Sequence, residues 1–206
     1  MLLQDQTIKD FVALTASDAP VPGGGSVSAL CAAVSAALVQ MVAGLTAGKK
    51  GYEAASGKMA EIAAALPAMQ KEFLEGIDKD SQAFDKVMGA FRLPKSTDEE
   101  KAYRRQKINE ATLYAAEVPL GIARKALAMT QMCKFVASNG NKNALSDAAV
   151  AAMTLRTAVR GALFNVRINL AGLPEGEYRS KLFAEVEETE LQIEHDEKEI
   201  LESIKF

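Results

Sequence analysis

The sequence has few of the residues that most metal sites and hydrolytic triads require. It contains one histidine, His195, and no tryptophan in 206 residues. A metal site with several histidines is therefore excluded, and so is a di-iron bundle, which needs two Glu-x-x-His pairs. A Ser-His-Asp triad would have to use His195. That residue lies in the charged stretch Q-I-E-H-D-E-K-E and is predicted to be on the surface.

The two cysteines are not arranged as a disulfide framework, and the basic residues are not clustered. Cys31 and Cys133 lie far apart in apolar surroundings, which predicts buried thiols in a reducing cytoplasm. The net charge is −3 and no basic block occurs, so nucleic-acid binding has no support. The N-terminus carries Asp5 and Asp10 and lacks the basic region of a signal peptide. We therefore expect a cytoplasmic protein with no nucleic-acid partner.

No charged side chain occurs between residues 27 and 47, directly after the stretch A-P-V-P-G-G-G-S. The prolines interrupt any preceding helix, and Ser26 is a favoured N-cap residue. The pattern predicts a helix from Ser26 to about Thr46. Its length suits a membrane span. Its small residues, Gln40 in the middle and the lack of an aromatic belt instead favour a buried central helix of a soluble protein.

Helical periodicity recurs along the rest of the chain, and strand alternation is scarce. Further helices are predicted over about residues 3–16, 52–91, 97–132, 145–170 and 175–204, with a bend at Pro67, a kink or break at Pro119 and a polar loop at residues 138–143. Ser96 or Thr97 is predicted to cap the helix over residues 97–132, with Glu99 and Glu100 in its first turn. No internal repeat or linker divides the sequence. We predict a single domain over residues 1–206, an all-α antiparallel helical bundle around the buried apolar helix.

One carboxyl group falls in an apolar stripe of the third helical region. The stripe consists of Phe73, Ile77, Phe84, Val87 and Phe91. Asp80 lies within it, whereas Asp78 and Asp85 lie on the more polar side with Ser81 and Gln82. Burial raises the pKa of a carboxyl group and makes the unpaired ionised form costly. Asp80 is therefore either part of a structural ion pair, a residue at the boundary between the core and the surface, or a catalytic or cation-binding carboxylate.

The helix predicted over residues 145–170 carries unusual polar residues. Asn165 and Asn169 are four residues apart on a face of small residues, where they could bind a flat heterocycle or a neighbouring helix. Asp147 follows Ser146 at the helix start, and capping alone would explain both. A second stripe, typical of a solvated face but also able to attract carboxylates, consists of Arg156, Arg160 and Arg167.

The glycine-rich loop matches neither of the common phosphate-binding motifs. Gly23, Gly24 and Gly25 are not followed by G-K-[ST], and Ser28 occupies the last glycine position of a dinucleotide fingerprint. Two interpretations remain open. The loop is a tight turn between packed helices, or its backbone N–H groups at a helix start bind an anion or let a ligand approach closely.

Taken together, these motifs resemble one known family. The matching stretches, in order, are A-P-x-P-G-G-G-S-V at residues 19–27, T-A-G-K-K at 46–50, D-K-D-S-Q-A-F at 78–84, R-L-P-K at 92–95 with E-E-K at 99–101, G-N at 140–141, S-D at 146–147, and F-N-V with I-N-L at 164–170. Each stretch is weak alone. In this order they resemble the formiminotetrahydrofolate cyclodeaminase / methenyltetrahydrofolate cyclohydrolase family, the cyclodeaminase domain of formiminotransferase-cyclodeaminase.

The resemblance implies an all-helical homodimer whose substrate is a reduced folate carrying one carbon. By the D-x-D-x-x-A-[FY] pattern, the catalytic aspartate is Asp80. The substrate-binding residues implied are Gly23, Gly24, Gly25, Ser26, Lys50, Asn141, Asp147, Asn165 and Asn169. Candidates for attracting a polyglutamate tail are Lys49, Lys50, Lys95 and the arginine stripe. No metal is implied, and no cofactor other than the folate substrate.

The resemblance leaves the reaction open. Cyclodeamination would convert 5-formiminotetrahydrofolate to 5,10-methenyltetrahydrofolate with loss of ammonia, in histidine degradation, with a glutamate formiminotransferase as partner. Cyclohydrolysis would convert the methenyl compound to 10-formyltetrahydrofolate. A rival of another class is a helical interaction protein, whose apolar helix serves only assembly and which would not bind folinic acid in calorimetry.

Overall fold

In a computed structural model, which describes residues 1–205, the chain forms helices throughout and no strand is found in that range. The helices are α1 (Ile8–Thr15), α2 (Gly24–Gly44), α3 (Glu53–Phe91), α4 (Asp98–Ala128), α5 (Thr130–Asn139), α6 (Leu145–Ala171) and α7 (Glu177–Ser203), with 3₁₀ turns at Leu3–Asp5 and Lys142–Ala144. The all-α prediction is confirmed. The single domain over residues 1–206 stays a prediction.

Helix α2 packs between α3 and α6 and runs antiparallel to both. Ser35 of α2 donates to the carbonyl of Ala151 in α6, and Gln40 donates to the carbonyl of Ala63 in α3. Helix α4 packs on α3 and α6, and α7 covers α6. The α2 residues that are fully buried at these crossings are Ala29, Ala32, Ala36, Val39 and Ala43. Small side chains at the crossings let the helix backbones approach closely, because little volume separates them.

The start of α2 differs from the prediction. The N-cap is Gly23, in an extended conformation, and the helix already includes Gly24 and Gly25. Ser26 lies inside the first turn with its side chain fully buried. The helix begins earlier because two glycines pack here against α3 and α6, and that tertiary contact outweighs the capping preference of serine.

Helix α2 is buried on one side only. Val34, Met41 and Leu45 are 43%, 40% and 50% exposed, although no charged residue occurs on the helix. By length and composition α2 is the one helix in residues 1–205 that could cross a membrane. Half of its most apolar 18-residue stretch is buried inside the fold. The predicted burial of this helix is therefore only partial, and the fold itself leaves its outer face uncovered.

The other helix boundaries lie close to the predicted ones, with two exceptions. The helix predicted over residues 3–16 is divided into the 3₁₀ turn Leu3–Asp5 and α1, which begins at Ile8 because Thr7 caps it. The fourth predicted helix ends at Ala128, and α5 then includes Ser138 and Asn139, which were predicted to be in a loop. Thr97 forms the expected capping box with Glu100 at the start of α4. The capping preference was therefore decisive where no tertiary contact opposed it.

Asp78 is buried, contrary to its predicted position on a polar face. Its carboxylate accepts hydrogen bonds from the backbone N–H of Leu3 at 2.7 Å and of Gln4 at 3.2 Å. Only 8% of the residue is exposed. The N-terminal 3₁₀ turn covers this face of α3, so the helical periodicity of α3 alone could not reveal the contact.

Replacing Asp78 by alanine is expected to lower the free energy of unfolding by about 1–3 kcal/mol, because two backbone N–H groups lose their charged acceptor. Urea unfolding measures the change. Asp85→Ala, an exposed carboxylate seven residues along the same helix, is the matched control and is expected to change stability by less than about 0.5 kcal/mol. Equal effects of the two substitutions would contradict the proposed anchoring of the N-terminus.

The arginine stripe pairs with glutamates of α7. Arg156 contacts Glu197, Arg160 contacts Glu190 and Glu194, and Arg167 contacts Glu190, at 2.6–3.0 Å. The charge of the stripe is therefore compensated within the fold, which leaves it little attraction for an external polyglutamate. His195 has a 64% exposed side chain and lies beside Glu199, as predicted for a surface residue.

Candidate active site

A cavity of about 320 Å³ opens where the N-terminus of α2 meets α3, α4 and α6. Its lining comprises Pro20, Val21, Gly23, Gly24, Gly25, Asp80, Phe84, Val87, Ala115, Asn165, Ile168 and Asn169. The volume is at the lower end of the range for small-molecule sites, and an apolar lining with a few polar groups is typical of them. Six of the residues predicted to be functional therefore lie in one place.

Asp80 is the only ionisable side chain in this lining. It is half-buried, and no lysine, arginine or histidine of residues 1–205 forms a salt bridge with it. Burial raises the pKa of its carboxyl group, and hydrogen bonds from Ser26 partly oppose that rise. The structural ion pair considered from the sequence is therefore wrong for the described chain. The carboxyl group is available to a ligand in the cavity.

The apolar stripe around Asp80 leads from the core to the cavity wall. Phe73 and Ile77 are buried, whereas Phe84 is 36% exposed and lines the cavity and Phe91 is 48% exposed outside it. The stripe is therefore a core contact at one end and an open aromatic wall at the other. Such a wall lowers the local dielectric around Asp80 and offers an aromatic face to a planar ligand.

Ser26 lies behind Asp80 and not in the cavity lining. Its Oγ is 3.0 Å from the Ile77 carbonyl, 3.0 Å from Asp80 Oδ2 and 3.2 Å from Ser81 Oγ. When Asp80 is ionised, the Ser26 hydroxyl can donate to it. When Asp80 is protonated, the carboxyl can donate to Ser26 Oγ while the Ser26 hydroxyl donates to the Ile77 carbonyl. Both protonation states are thus hydrogen-bonded, as a group that gives and takes a proton requires.

Ser26→Ala is expected to raise the pKa of Asp80, because the donor that stabilises the carboxylate is lost. The limb of the pH–rate profile that reports Asp80 should move to higher pH. Ser35→Ala is the matched control, since Ser35 is also a buried α2 serine bonded to a helix carbonyl, but lies far from Asp80. A profile unmoved by Ser26→Ala would show that Asp80 does not titrate in the kinetics.

The glycines of the loop provide space and not unusual backbone angles. A Cβ atom on Gly25 would lie 2.1 Å from Asp80 Oδ1, and one on Gly24 would lie 3.2 Å from Asn165 Nδ2. Among the described glycines, positive φ angles occur only at Gly48 and Gly51. The structure shows Gly24 and Gly25 packed against side chains of α6 and α3, which agrees with the first interpretation, a tight turn between packed helices, and the approach of a ligand to the loop stays a prediction.

The side-chain oxygens of the two asparagines of α6 accept no hydrogen bond from the described residues, and Asn165 Nδ2 uses only one of its two N–H bonds. Asn165 Nδ2 donates to the Gly161 carbonyl, and Asn169 Nδ2 donates to the carbonyls of Ala115 and Asn165. All three partners are carbonyl oxygens, so the donating atom in each amide must be nitrogen. Neither Oδ1 accepts a hydrogen bond within residues 1–205. The cavity therefore offers two amide oxygens and one carboxyl group, a set that suits a ligand rich in N–H groups.

Three predicted substrate-binding residues lie elsewhere. Lys50 is exposed in the turn after α2, Asn141 is buried against Leu45 and Thr46, and Asp147 begins α6. This end of α2 is about 30 Å from Gly24, at about 1.5 Å per helical residue. Within one chain these residues do not reach the cavity, and their roles stay predictions.

Sequence reasoning did not name six residues of the cavity lining as site residues: Pro20, Val21, Phe84, Val87, Ala115 and Ile168. Ile168 could have been found from its spacing, because it shares a helix face with Asn165 and Asn169. The residue type of Ala115 gives no indication of function. It lies four residues before Pro119, however, so its backbone carbonyl has no helical N–H partner, and this spacing is visible in the sequence.

Comparison with known proteins identifies relatives that match most of this chain, one of similar length and others of which the match covers only about a third. The family model described as formiminotransferase-cyclodeaminase matches residues 7–188. The methenyltetrahydrofolate cyclohydrolase of Methylorubrum extorquens is 39% identical over 183 residues, 89% of this chain and 88% of that protein. The formimidoyltransferase-cyclodeaminase of Rattus norvegicus is 35% identical over 179 residues, 87% of this chain but only 33% of that protein.

A solved structure agrees with these sequence matches. The crystal structure of formiminotetrahydrofolate cyclodeaminase from Thermotoga maritima superposes with a TM-score of 0.87 and 31% identity, covering 98% of this chain and 97% of that one. The family model and the relatives each span most of the chain. The chain therefore belongs to the formiminotransferase-cyclodeaminase family.

Proposed function

We propose that the chain is a folate enzyme in which Asp80 performs acid–base chemistry at the carbon that bridges N5 and N10. The observation that carries this proposal is the half-buried carboxyl group, without a cationic partner, in a cavity that offers hydrogen-bond acceptors and an aromatic wall. The pyrimidine ring of a reduced pterin is planar and the pterin presents several N–H donors, so its chemistry is complementary to that lining. The names of the relatives support a folate substrate independently.

The reaction proposed first is cyclodeamination. N10 of 5-formiminotetrahydrofolate attacks the formimino carbon, and the N10 proton passes to the formimino nitrogen, which gives a tetrahedral intermediate with an amino group. Protonation of its amino nitrogen then allows the C–N bond to break, with release of ammonia and formation of the 5,10-methenyl cation. A protonated Asp80 supplies that proton, and the resulting carboxylate stabilises the cation. The raised pKa of Asp80 favours the protonated form at the start of the cycle.

The second candidate is cyclohydrolysis, which the 39% identity to a methenyltetrahydrofolate cyclohydrolase favours. Here water attacks the methenyl carbon, and an ionised Asp80 removes a proton from that water. The proton that Asp80 has taken passes to N5, the C–N5 bond breaks, and the hydroxyl group loses its proton to give 10-formyltetrahydrofolate. The methenyl cation is the product of the first reaction and the substrate of the second, and both need the same carboxyl group. The first requires it protonated and the second ionised.

The absorbance of methenyltetrahydrofolate separates the two reactions. Purified protein is supplied with 5-formiminotetrahydrofolate or with the methenyl compound in separate assays. Growth of the absorbance in the first assay identifies a cyclodeaminase, and decay faster than in buffer in the second identifies a cyclohydrolase. In the first case activity should fall as pH rises through the pKa of Asp80; in the second it should rise. No change in either assay would refute the folate proposal.

We further propose that the protein is a homodimer formed through the outer face of α2. This face is uncharged, and α6 continues it with Val150, Met153, Phe164 and Ile168, which are 49–73% exposed. A two-fold axis across α2 would pack it antiparallel to its copy. The Lys50 end of one chain would then approach the Gly24 end of the other. Such an arrangement would unite the predicted substrate-binding residues that one chain keeps apart.

Placing a charge in the centre of this face tests the dimer. Val34→Asp is expected to convert the protein from dimer to monomer in sedimentation equilibrium, because an unpaired charge would be buried in the interface. Val12→Asp, at a valine on α1 that is 59% exposed, should leave the mass unchanged. A wild-type monomer would refute the proposal. Protein that pellets with membranes and resists a high-salt wash would instead indicate that α2 contacts lipid.

A formiminotransferase is proposed as the supplier of the formimino substrate if the reaction is cyclodeamination. The rat relative is named for a formimidoyltransferase and a cyclodeaminase activity, and the region that matches this chain is a third of that protein's length. A polyglutamate tail on the substrate would find free positive charge at Lys49, Lys50 and Lys95, which form no salt bridge among the described residues, more readily than at the paired arginine stripe.

A further inference from the structure

Two helices of the fold contain an internal proline, and neither helix ends there. Pro67 lies within α3 and Pro119 within α4. A proline has no N–H group, so the carbonyl four residues earlier lacks its helical partner. The ring also pushes that carbonyl away from the helix axis. The two carbonyls concerned belong to Ala63 and Ala115.

Both carbonyls receive a side-chain amide from a neighbouring helix. Gln40 of α2 donates to Ala63 at 3.2 Å, and its own oxygen accepts from Gln70 at 2.6 Å. Asn169 of α6 donates to Ala115 at 2.9 Å. In both helices a side-chain amide therefore donates to the carbonyl that the proline leaves unpaired, but the two amide oxygens differ in their partners. At Gln40 the oxygen is used inside the protein. At Asn169 no residue in the described chain donates to it.

The Asn169 amide has only one orientation that satisfies its surroundings. Its two N–H bonds are directed to the carbonyls of Ala115 and Asn165, both at 2.9 Å. A 180° turn of the amide would place Oδ1 against two carbonyl oxygens and lose both bonds. Ala115, Asn165 and Asn169 all line the cavity. The orientation of the acceptor that Asn169 offers is thus fixed by a carbonyl that Pro119 sets free.

We infer that Pro119 is a positioning residue for substrate recognition, acting through Ala115 and Asn169, and that the fixed Oδ1 of Asn169 accepts a hydrogen bond from an N–H group of the pterin ring. The inference rests on the proposed folate function. Pro119 is buried and lies outside the cavity lining. The inference nevertheless gives it a role in the affinity for the folate. Asn169 contacts the ligand, and Pro119 acts only through it.

The binding test uses folinic acid and the full-length chain in isothermal titration calorimetry. Pro119→Ala restores an N–H group that competes with Asn169 for the Ala115 carbonyl, and Asn169→Ala removes the acceptor. Each is expected to raise the Kd by about 3- to 10-fold, the range for one hydrogen bond. KM should rise with it while kcat changes less than about twofold, because the interaction is made equally in the bound substrate and the transition state.

A double-mutant cycle separates this role from loss of packing around a buried proline. In the Asn169→Ala background, Pro119→Ala should change the Kd by less than about 1.5-fold, because its effect passes through the missing amide. Pro67→Ala likewise restores an N–H group, which competes with Gln40 for the Ala63 carbonyl far from the cavity, and it should leave the Kd unchanged. Full additivity of Pro119→Ala and Asn169→Ala, or an equal effect of Pro67→Ala, would overturn the inference.

A readout that needs no folate keeps the two proposals distinguishable. The side-chain amide protons of Asn169, identified by their loss in Asn169→Ala, should exchange slowly with solvent in the wild type and at least about tenfold faster in Pro119→Ala. Unchanged exchange overturns the positioning role even if the enzyme turns over folates. If the wild type neither binds nor converts folates, but Pro119→Ala accelerates exchange of the Asn169 amide protons, the folate function is refuted and the positioning role of Pro119 is supported.

Discussion

Asp80→Asn is expected to lower kcat by about 10²–10⁴-fold on whichever folate the enzyme converts, the range for loss of a general acid or base. Asparagine has nearly the same shape, so Gly25 and Ser26 should pack around it as before. KM should change less than kcat, because the carboxyl proton moves only in the reaction. The absorbance assay under steady-state conditions measures both constants.

The same variant should also be at least as stable as the wild type at neutral pH. The pKa of Asp80 is raised in the folded protein, so the stability that its protonated form contributes is present below the unfolded pKa of about 4 and is lost as pH rises through the folded pKa. Asparagine does not ionise and avoids that loss. Thermal unfolding of both proteins should therefore diverge as pH rises through this window.

Asp85→Asn provides the control, because Asp85 is exposed on the same helix and lies outside the cavity lining. It should retain wild-type kcat and an unchanged pH dependence of unfolding. Near wild-type turnover by Asp80→Asn on both folate substrates would remove Asp80 from the mechanism. Low turnover together with a large loss of stability would assign the residue a structural role instead.

Gly25→Ala is expected to abolish most activity, although it adds a single methyl group. The new Cβ would lie 2.1 Å from Oδ1 and 2.5 Å from Cγ of Asp80, far inside van der Waals contact. Since α2 is held between α3 and α6, the carboxyl group must move, and a displacement of about 1 Å at a reacting group costs about 10²-fold in rate. Turnover and unfolding are measured on the same preparations.

Gly57→Ala is the control for the intrinsic effect of alanine in a helix. Gly57 lies in α3, and a Cβ there would meet nothing within 4 Å. This substitution should raise the free energy of unfolding by roughly 0.5–1 kcal/mol and leave turnover unchanged. Full activity of Gly25→Ala would mean that Asp80 does not need its observed position beside the start of α2.

Local patterns were reliable where a residue and its sequence neighbours decide the outcome. The periodicity of α3 predicted its length to within one residue at its start, and Thr97 and Glu100 predicted the start of α4. The same patterns failed at Asp78 and Ser26. In each case a distant segment covers the residue, and helical spacing carries no information about what packs against a face.

The all-helical class, the bounds of α3 and α6 and the candidacy of Asp80 followed from the sequence by itself, because they depend on propensity and spacing along one helix. Only the tertiary structure decided which polar atoms remain free. Ser26 contacts the carboxyl group and not the cavity, the arginine stripe is neutralised by α7, and the asparagines of α6 present oxygen. Hydrogen bonds and ion pairs between helices choose among partners far apart in the chain, so free acceptors can be identified only when every neighbour is in place.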